Sequence, residues 1–257
     1  MFGVLIIGGN GFIGSHLVNR LASSNEIKVS VLDLYPRPYD PLPEGVTFLQ
    51  GSLADPSYIR RLLIDQDIKI VFHVAWSTIH ETATSNPVAD VEINLVPSLQ
   101  LLEACRESKV ERVIYMSSGG TVYGNPQYLP ISEEHPTNPI NAYGVTKLTV
   151  EKYLQMYHHL YGLEYVILRP SVPYGPRQNP HRRQGAISVF VWHALSDEEI
   201  TIFGDGNISR DYFYIDDMTS ALVAAMDCDF RPNSIFNIAG DTPYTLNQLV
   251  EIIQDTL

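Results

Sequence analysis

Tyr143 and Lys147 form a Tyr-x-x-x-Lys pentad in a stretch with the pattern of a helix, and Ser118 stands upstream at the end of a predicted strand. Side chains four residues apart project from one face of a helix, so the Lys147 ammonium is expected beside the Tyr143 phenol. A nearby cation favours the phenolate and lowers the pKa of a tyrosine from about 10. Tyr143 is therefore predicted to be a general base or acid for a substrate hydroxyl, with Ser118 hydrogen-bonded to the same oxygen. The bare pentad is also typical of solvated helix surfaces, so its meaning depends on the elements around it.

Those elements belong to a chain of 257 residues with 45% hydrophobic and 18% charged residues, which is ordinary globular composition. The net charge of −12 argues against a nucleic-acid backbone or an anionic membrane as partner. The apolar run at the N-terminus is too short for a membrane span and has no basic region before it, so we expect a cytoplasmic protein. Cys105 and Cys228 lack Cys-x-x-Cys or histidine partner spacing and are expected to be reduced thiols. His73 and His80 look isolated, so no metal site is predicted.

The first part of the chain alternates short β-branched runs with helical patterns, which predicts a doubly wound parallel sheet, the Rossmann architecture of the α/β class. The predicted strands cover 4–7, 28–32, 46–49, 70–73, 113–116 and 165–168. The predicted helices cover 14–22, 57–64, 88–108 and 142–161, with Pro97 marking a kink in the third. Residues 1–169 are therefore expected to form a dinucleotide-binding domain.

The alternation of strand and helix patterns ends after Arg169, where several prolines and the basic cluster 181–183 indicate a loop. Residues 170–257 are expected to form a smaller substrate lobe, interleaved with the first domain. Its predicted strands cover 200–203, 212–215 and 235–238, and its predicted helices cover 187–195, 216–226 and 245–257. The last helix runs to the chain end without a stop signal, so we expect a truncated C-terminus.

A glycine-rich turn follows the first strand and precedes the first helix, in the sequence Gly-Gly-Asn-Gly-Phe-Ile-Gly at 8–14. Glycines allow the backbone to approach a pyrophosphate, whose charge then sits at the helix N-terminus. The strand before and the helix after make this more specific than a glycine pattern alone. A dinucleotide site is therefore predicted at Gly8, Gly11, Phe12, Ile13 and Gly14.

Asp33 ends the second predicted strand, where a carboxylate accepts hydrogen bonds from the adenosine ribose hydroxyls. A 2′-phosphate at this point would meet like charge, so NAD is predicted as the cofactor. Arg37 keeps NADP open as an alternative, and a turn-forming role remains open for Asp33.

Six segments in order resemble the extended short-chain dehydrogenase/reductase family, and within it the NAD-dependent nucleotide-sugar epimerases and dehydratases. They are GGNGFIG, Asp33, MSSGGTVYG at 116–124, PINAYGVTKLTVEKYL at 139–154, LRPSVPYGPRQNP at 168–180 and RDYFYIDD at 210–217. Together they span essentially the whole chain.

This resemblance implies roles for individual residues. Tyr143 matches the catalytic base, Lys147 its partner and the nicotinamide-ribose ligand, and Ser118 the hydroxyl that positions the substrate. Asn94 matches a helix asparagine near the cofactor. Arg210 matches the arginine that grips a sugar-nucleotide diphosphate, for which a guanidinium fork is well shaped.

Other residues of the predicted site have alternative roles. Phe203 matches a residue that packs on the nucleotide base, with simple core packing as the alternative, and an ion pair with Asp211 is the alternative for Arg210. Ser52 and Leu53 fall in the cofactor segment, where Ser52 replaces the usual aspartate that reads the adenine amino group.

The family's dehydratases and decarboxylases carry an acidic residue beside the serine or threonine, whereas Ser118 is followed by Gly119 and Gly120. The resemblance therefore implies a 4-epimerase for nucleotide sugars of the UDP-glucose/UDP-galactose type, acting through a transient 4-keto sugar and return of the hydride. A nucleotide-4-ketosugar reductase or dehydrogenase using NAD(P) is the first alternative. A non-catalytic NAD-binding regulatory protein is the second. A homodimer formed through the helices at 88–108 and 142–161 is a family expectation.

Two further departures from the family pattern affect the sugar end of the site. Val172 replaces a substrate-contacting asparagine. Trp76 is uncommon in the segment expected over nicotinamide and sugar, where packing and a lid role are both open.

Overall fold

The computed structural model describes residues 2–36, 40–182, 184–227 and 231–257. Its strands are β1 Phe2–Ile7, β2 Ile27–Asp33, β3 Thr47–Gln50, β4 Ile68–His73, β5 Arg112–Met116, β6 Glu164–Pro170, β7 Val172–Tyr174, β8 Ser209–Tyr214, β9 Ser234–Ile238 and β10 Pro243–Thr245. Its α-helices are α1 Phe12–Ala22, α2 Pro56–Asp65, α3 His80–Ser85, α4 Pro87–Asp90, α5 Val96–Glu107, α6 Ala142–Tyr161, α7 Ala186–Leu195, α8 Ile215–Met226 and α9 Leu246–Thr256. A π-helical turn, Val91–Leu95, joins α4 to α5.

Seven parallel strands form the central sheet, in the order β3-β2-β1-β4-β5-β6-β9. The middle strands are buried along nearly their whole length because helices cover both faces. The predicted doubly wound sheet is confirmed. The strand order reverses between β1 and β4, and ligands of such sheets bind outside the carboxyl ends of the strands at that point.

Two hydrophobic layers enclose the sheet. One contains side chains of α2, α5 and α6, and the other contains side chains of α1 and α8. Helix α8 and strand β9 therefore return to the large sheet although they follow residue 169 in sequence. A smaller lobe is formed by the three-stranded sheet β10-β8-β7 with α7 and α9, around a smaller core that includes Phe190, Tyr212 and Leu249.

Two predicted elements differ from the structure. The helix expected over 88–108 is three consecutive segments, and the π-helical turn interrupts it before Pro97, which lies in the first turn of α5 where its missing N–H is tolerated. The strand expected over 200–203 is an irregular segment, because Ile200 and Ile202 pack on the small core without a strand partner. No helix in the described ranges is long and apolar enough to cross a membrane.

Candidate active site

The glycine turn lies at the carboxyl end of β1, next to the point where the strand order reverses. Gly8 has a φ of +83°, and a Cβ on Gly14 would lie 2.1 Å from the Gly8 carbonyl oxygen. The backbone of α1 thus approaches the turn as closely as a pyrophosphate cradle requires. The first turn of α1 contains no acidic residue, so nothing there offsets the positive end of the helix dipole. The backbone around Phe12 and Ile13 therefore fits the phosphates of a dinucleotide.

Asp33 stands beside this cradle at the end of β2. Its carboxylate accepts hydrogen bonds from the backbone N–H groups of Asn10 (3.0 Å) and Tyr35 (3.4 Å). The side chain is thereby fixed next to the glycine turn, where ribose hydroxyls are expected. Arg37, the residue that keeps NADP open, lies outside the described residues.

Ser52 and Leu53, which are predicted to lie near the adenine, follow β3. The Ser52 hydroxyl accepts a hydrogen bond from the Ala54 N–H (3.1 Å), and Leu53 packs against the core. Ser52 is exposed and forms a turn, so the structure places it at the sheet edge without indicating a contact to adenine.

Tyr143 and Lys147 lie on the buried face of α6, as their spacing predicts. Asn141 caps the helix by accepting a hydrogen bond from the Gly144 N–H at 2.8 Å. Tyr143 is 9% exposed and Lys147 only 1% exposed. The Lys147 Nζ atom is 5.7 Å from the centre of the Tyr143 ring, so the two residues are neighbours.

The expected lowering of the tyrosine pKa is wrong for the protein without ligand. Burial raises the pKa of Tyr143, and the negative charge of Asp90 raises it further. Burial also lowers the pKa of Lys147 well below its usual value, although Glu151 and Asp90 oppose that shift. Both charged forms are disfavoured because the pair lies out of water. The i, i+4 spacing correctly predicted proximity, but it carries no information about desolvation.

The Lys147 ammonium contacts the end of β5 and an aromatic ring. It donates a hydrogen bond to the Met116 carbonyl oxygen (2.8 Å) and lies 3.7 Å from the centre of the Trp76 ring. Trp76 belongs to a cluster of rings that includes His73, Tyr115 and Tyr143. His73 is buried, and burial followed by the charge of Lys147 lowers its pKa to about 3.

The two serines after β5 have different environments. Ser117 is buried and donates a hydrogen bond to Glu151, which forms a buried ion pair with Arg169. Ser118 is partly exposed on the same side of the sheet, following Met116. Ser117 therefore belongs to the supporting structure, whereas the role of Ser118 towards a substrate stays a prediction.

Asp90 is a buried carboxylate that the sequence reasoning missed. It accepts hydrogen bonds from the hydroxyls of Thr78 (2.5 Å) and Thr146 (2.5 Å) and from the Asn94 amide (2.9 Å). These bonds join the segment after β4, the π-helical turn and α6. The Asp90 and Asn94 spacing of four on one helix was the available signal, but the partner on α6 is 56 residues away.

Asn94 is 5% exposed and its side chain is fully engaged within the protein. Its Oδ1 accepts from the Ser77 N–H (3.0 Å), and its Nδ2 donates to Thr78 and Asp90. Asn94 therefore lies beneath the segment at 77–78 and holds that segment in place. π-Helical turns occur frequently at functional sites.

The smaller lobe brings Arg210 towards this cluster. The His80 ring contacts the Tyr143 ring, with ring centres 4.8 Å apart and the ring planes tilted by 54°. The pKa of His80 is lowered by partial burial and by the positive charge of Arg210 on β8. Among the described residues Arg210 makes no ion pair, and it donates to the Ser209 carbonyl oxygen, so the alternative pairing with Asp211 is wrong.

Phe203 lies in the irregular segment before β8 and is 87% exposed. The alternative that it is a core side chain is therefore wrong. Its predicted contact with a nucleotide base stays a prediction.

The His181 ring meets the Trp192 ring of α7 edge to face, with centres 4.9 Å apart, whereas Arg183 lies outside the described residues. Cys105 is buried and unpaired, and Cys228 lies outside the described residues. Within the described part of the chain, no group of three or more metal-ligating side chains is present.

Comparison with known proteins gives matches over nearly the whole chain. The profile of the NAD dependent epimerase/dehydratase family matches residues 4–239. The chain is 36% identical over 251 residues to a putative UDP-glucose 4-epimerase of Methanocaldococcus jannaschii, covering 98% of this chain and 81% of the relative. It is 31% identical over 260 residues to dTDP-4-dehydro-6-deoxyglucose reductase of Escherichia coli, covering 98% and 81%. A solved structure of UDP-glucose 4-epimerase with UDP-glucose, from Thermotoga maritima, matches with a TM-score of 0.94 at 35% identity, covering 99% of this chain and 82% of that chain.

Proposed function

Because the chain belongs to the NAD-dependent epimerase/dehydratase family, we propose that it is a nucleotide-sugar 4-epimerase that inverts C4 of a UDP-hexose. The match to this family's profile confirms the predicted family and confirms NAD as the cofactor. The single observation that carries the proposal is the pairing of Tyr143 with Lys147 beside the glycine cradle, with glycines at 119 and 120 where family members with elimination chemistry have an acid.

Residues of this chain are proposed to hold the cofactor. The turn from Gly8 to Gly14 would hold the pyrophosphate, Asp33 the adenosine ribose, and Lys147 the nicotinamide ribose. Bound oxidised NAD supplies a hydride acceptor and a positive charge.

Tyr143 is the proposed base for the sugar's 4-hydroxyl. Ser118 donates or accepts a hydrogen bond at the same oxygen and fixes it for proton transfer. Because burial and Asp90 raise the pKa of Tyr143, the phenolate needs added positive charge, and Lys147 is the nearest protein cation. Tyr143 returns the proton after the 4-keto sugar has turned over and presented its other face.

The carboxylates near Tyr143 support epimerisation over elimination of water. Asp90 is 1% exposed and accepts three hydrogen bonds, and Glu151 is 0% exposed and paired with Arg169. Neither can take a proton from a sugar carbon. Arg210 is the proposed ligand of the diphosphate, and Phe203 of the nucleotide base.

Incubation with UDP-glucose or UDP-N-acetylglucosamine tests this proposal. The expected result is the 4-epimer of at least one sugar without net reduction of the nicotinamide. Tyr143→Phe should abolish turnover and leave NAD binding intact, whereas Tyr161→Phe, at the exposed end of the same helix, should have no effect. Failure of all UDP-sugars to interconvert, or full activity of Tyr143→Phe, contradicts the assignment.

A 4-ketosugar reductase is the second candidate, and the E. coli reductase among the relatives favours keeping it. It uses the same Tyr143, Lys147 and Ser118 but consumes a reduced nicotinamide in each turnover. A stoichiometric loss of nicotinamide absorbance with a 4-keto sugar, without epimerisation, would select this candidate.

We also propose a homodimer. Apolar side chains are exposed along the two helical regions predicted for the interface, and they include Val88, Ile93, Val96, Met156 and Leu160. Sedimentation should give twice the chain mass, and Ile93→Glu should give the single mass. A wild-type monomer would contradict the proposal. The cytoplasmic location stays a prediction.

A further inference from the structure

The Lys147 ammonium is held in an unusual environment for a catalytic-site cation. It is 1% exposed, and within the described residues it donates a hydrogen bond to the Met116 carbonyl oxygen. An ammonium has three N–H donors. The face of the Trp76 ring, with its centre 3.7 Å from Nζ, occupies a second direction.

Burial alone would strip this ammonium of water and favour the neutral amine. A cation over the face of tryptophan is attracted by the negative face of the ring, and the attraction grows when both are desolvated. The Tyr115 and Tyr143 rings also face Nζ, at 5.1 and 5.7 Å, but Trp76 is much closer. Of the three rings, Trp76 is thus the one that lies nearest to the buried charge.

The position of Trp76 is fixed by its neighbours. Its ring lies 6.3 Å from His73, 6.4 Å from Tyr115 and 6.0 Å from Tyr143, between centres. Its indole Nε1 is buried and has no acceptor among the described residues. The ring therefore packs by its faces and edges, which leaves the cation contact as its specific interaction.

We propose that Trp76 is a positioning residue for Lys147: its ring keeps the buried ammonium charged and aimed at the cofactor's ribose. The inference rests on the proposed role of Lys147 in holding the cofactor, and it is independent of which sugar is bound. It also explains why a tryptophan occupies a segment in which that residue is uncommon.

Other groups also act on this charge and must stay constant in any test. Glu151 and Asp90 favour the ammonium, and His73, Tyr115 and Tyr143 line the same space. Beyond Tyr143 lie His80 and the charge of Arg210. A substitution at Trp76 that alters packing would disturb several of them, so the ring's electron density must be changed without changing its shape.

Fluorinated tryptophans make that change, since each fluorine weakens the negative face of the ring. The chain has two tryptophans, so the background Trp192→Phe leaves Trp76 alone to carry the label. The measured quantity is the dissociation constant of NAD, without sugar, as a function of pH. Above the pH at which Lys147 loses its proton, that constant should rise about tenfold per pH unit.

The expected result is a stepwise shift of this alkaline break to lower pH from unlabelled to mono-, di- and trifluorinated Trp76. Trp76→Leu should shift it by about one unit or more, and Lys147→Met should remove it. A break that does not move with fluorination, or that persists in Lys147→Met, overturns the proposal. Because no sugar is present, these outcomes are distinct from failure of the epimerase assignment.

Discussion

Glu151→Gln is expected to destabilise the protein strongly, because it leaves a buried guanidinium without its counter-ion. Arg169 donates to Glu151 from Nε (3.0 Å) and Nη2 (2.5 Å) and to the Tyr123 hydroxyl from Nη1 (2.7 Å). The two charged side chains are 2% and 0% exposed. Removing one partner of such a pair costs about 3–5 kcal/mol of unfolding free energy.

The chain contains a matched control on the neighbouring strand. Arg112 pairs with Glu164 at 2.7 Å, but the Glu164 side chain is 39% exposed and Arg112 also donates to backbone carbonyls of 225 and 227. Glu164→Gln should therefore cost about 1 kcal/mol or less. The double variant Glu151→Leu with Arg169→Met should lose less than Glu151→Gln, since it leaves no unpaired charge.

Urea unfolding followed by circular dichroism measures these differences as shifts of the midpoint at unchanged slope. If Glu151→Gln costs no more than Glu164→Gln, the pair does not stabilise α6 against β6 as argued. A double variant that is less stable than Glu151→Gln would equally refute the reasoning. Because Glu151 lies one turn after Lys147 on α6 and favours its ammonium, Glu151→Gln should also weaken NAD binding.

Three further predictions concern the site. Asp90→Asn removes a negative charge that raises the pKa of Tyr143. The acid limb of the pH profile of kcat, where turnover falls because Tyr143 becomes protonated, should therefore move by about one unit to lower pH. An acid limb that does not move contradicts this prediction. The pKa of His73 is about 3 in the folded protein and about 6.5 in the unfolded chain. The unfolding free energy that depends on neutral His73 is therefore fully present above pH 6.5 and is lost as the pH falls towards 3. His73→Gln should abolish about 2 kcal/mol of the loss in unfolding free energy between pH 6.5 and 4.5, and an equal loss in both proteins would contradict it. Gly14→Ala places a Cβ 2.1 Å from the Gly8 carbonyl oxygen and should weaken NAD binding, measured by calorimetry, more than about tenfold. Gly11→Ala places its Cβ 3.3 Å from the same oxygen and should weaken NAD binding less. Equal losses of affinity would show that the close approach is unimportant.

The sequence predicted the parts of this molecule that depend on local pattern. Apolar runs such as 4–7 and 113–116 are strands because both faces of a parallel sheet are covered, and the bounds of α6 follow from its apolar period and its Asn141 cap. The glycine turn was recognisable because strand, turn and helix are contiguous.

Long-range features were beyond the same reasoning. The contact between Asp90 and Thr146 spans 56 residues, and no local period records it. The Lys147 ammonium contacts the Trp76 ring because α6 and the segment after β4 meet there. The free-energy cost of burying the ammonium depends on this contact between distant segments. The π-helical turn likewise follows from Asn94 and Asp90 both reaching the segment at 77–78, which the helical pattern alone does not reveal.

Transfer of a deuterium label tests the proposed epimerisation at C4 most directly. UDP-glucose with deuterium at C4 is incubated with the NAD-loaded protein in ordinary water, and the products are analysed by mass spectrometry and NMR. Because hydride leaves and returns within one site, UDP-galactose should form with the deuterium retained at C4 and with no net nicotinamide reduction. Loss of the label to solvent, accumulation of reduced nicotinamide, or absence of any interconversion would contradict a C4 hydride shuttle based on Tyr143.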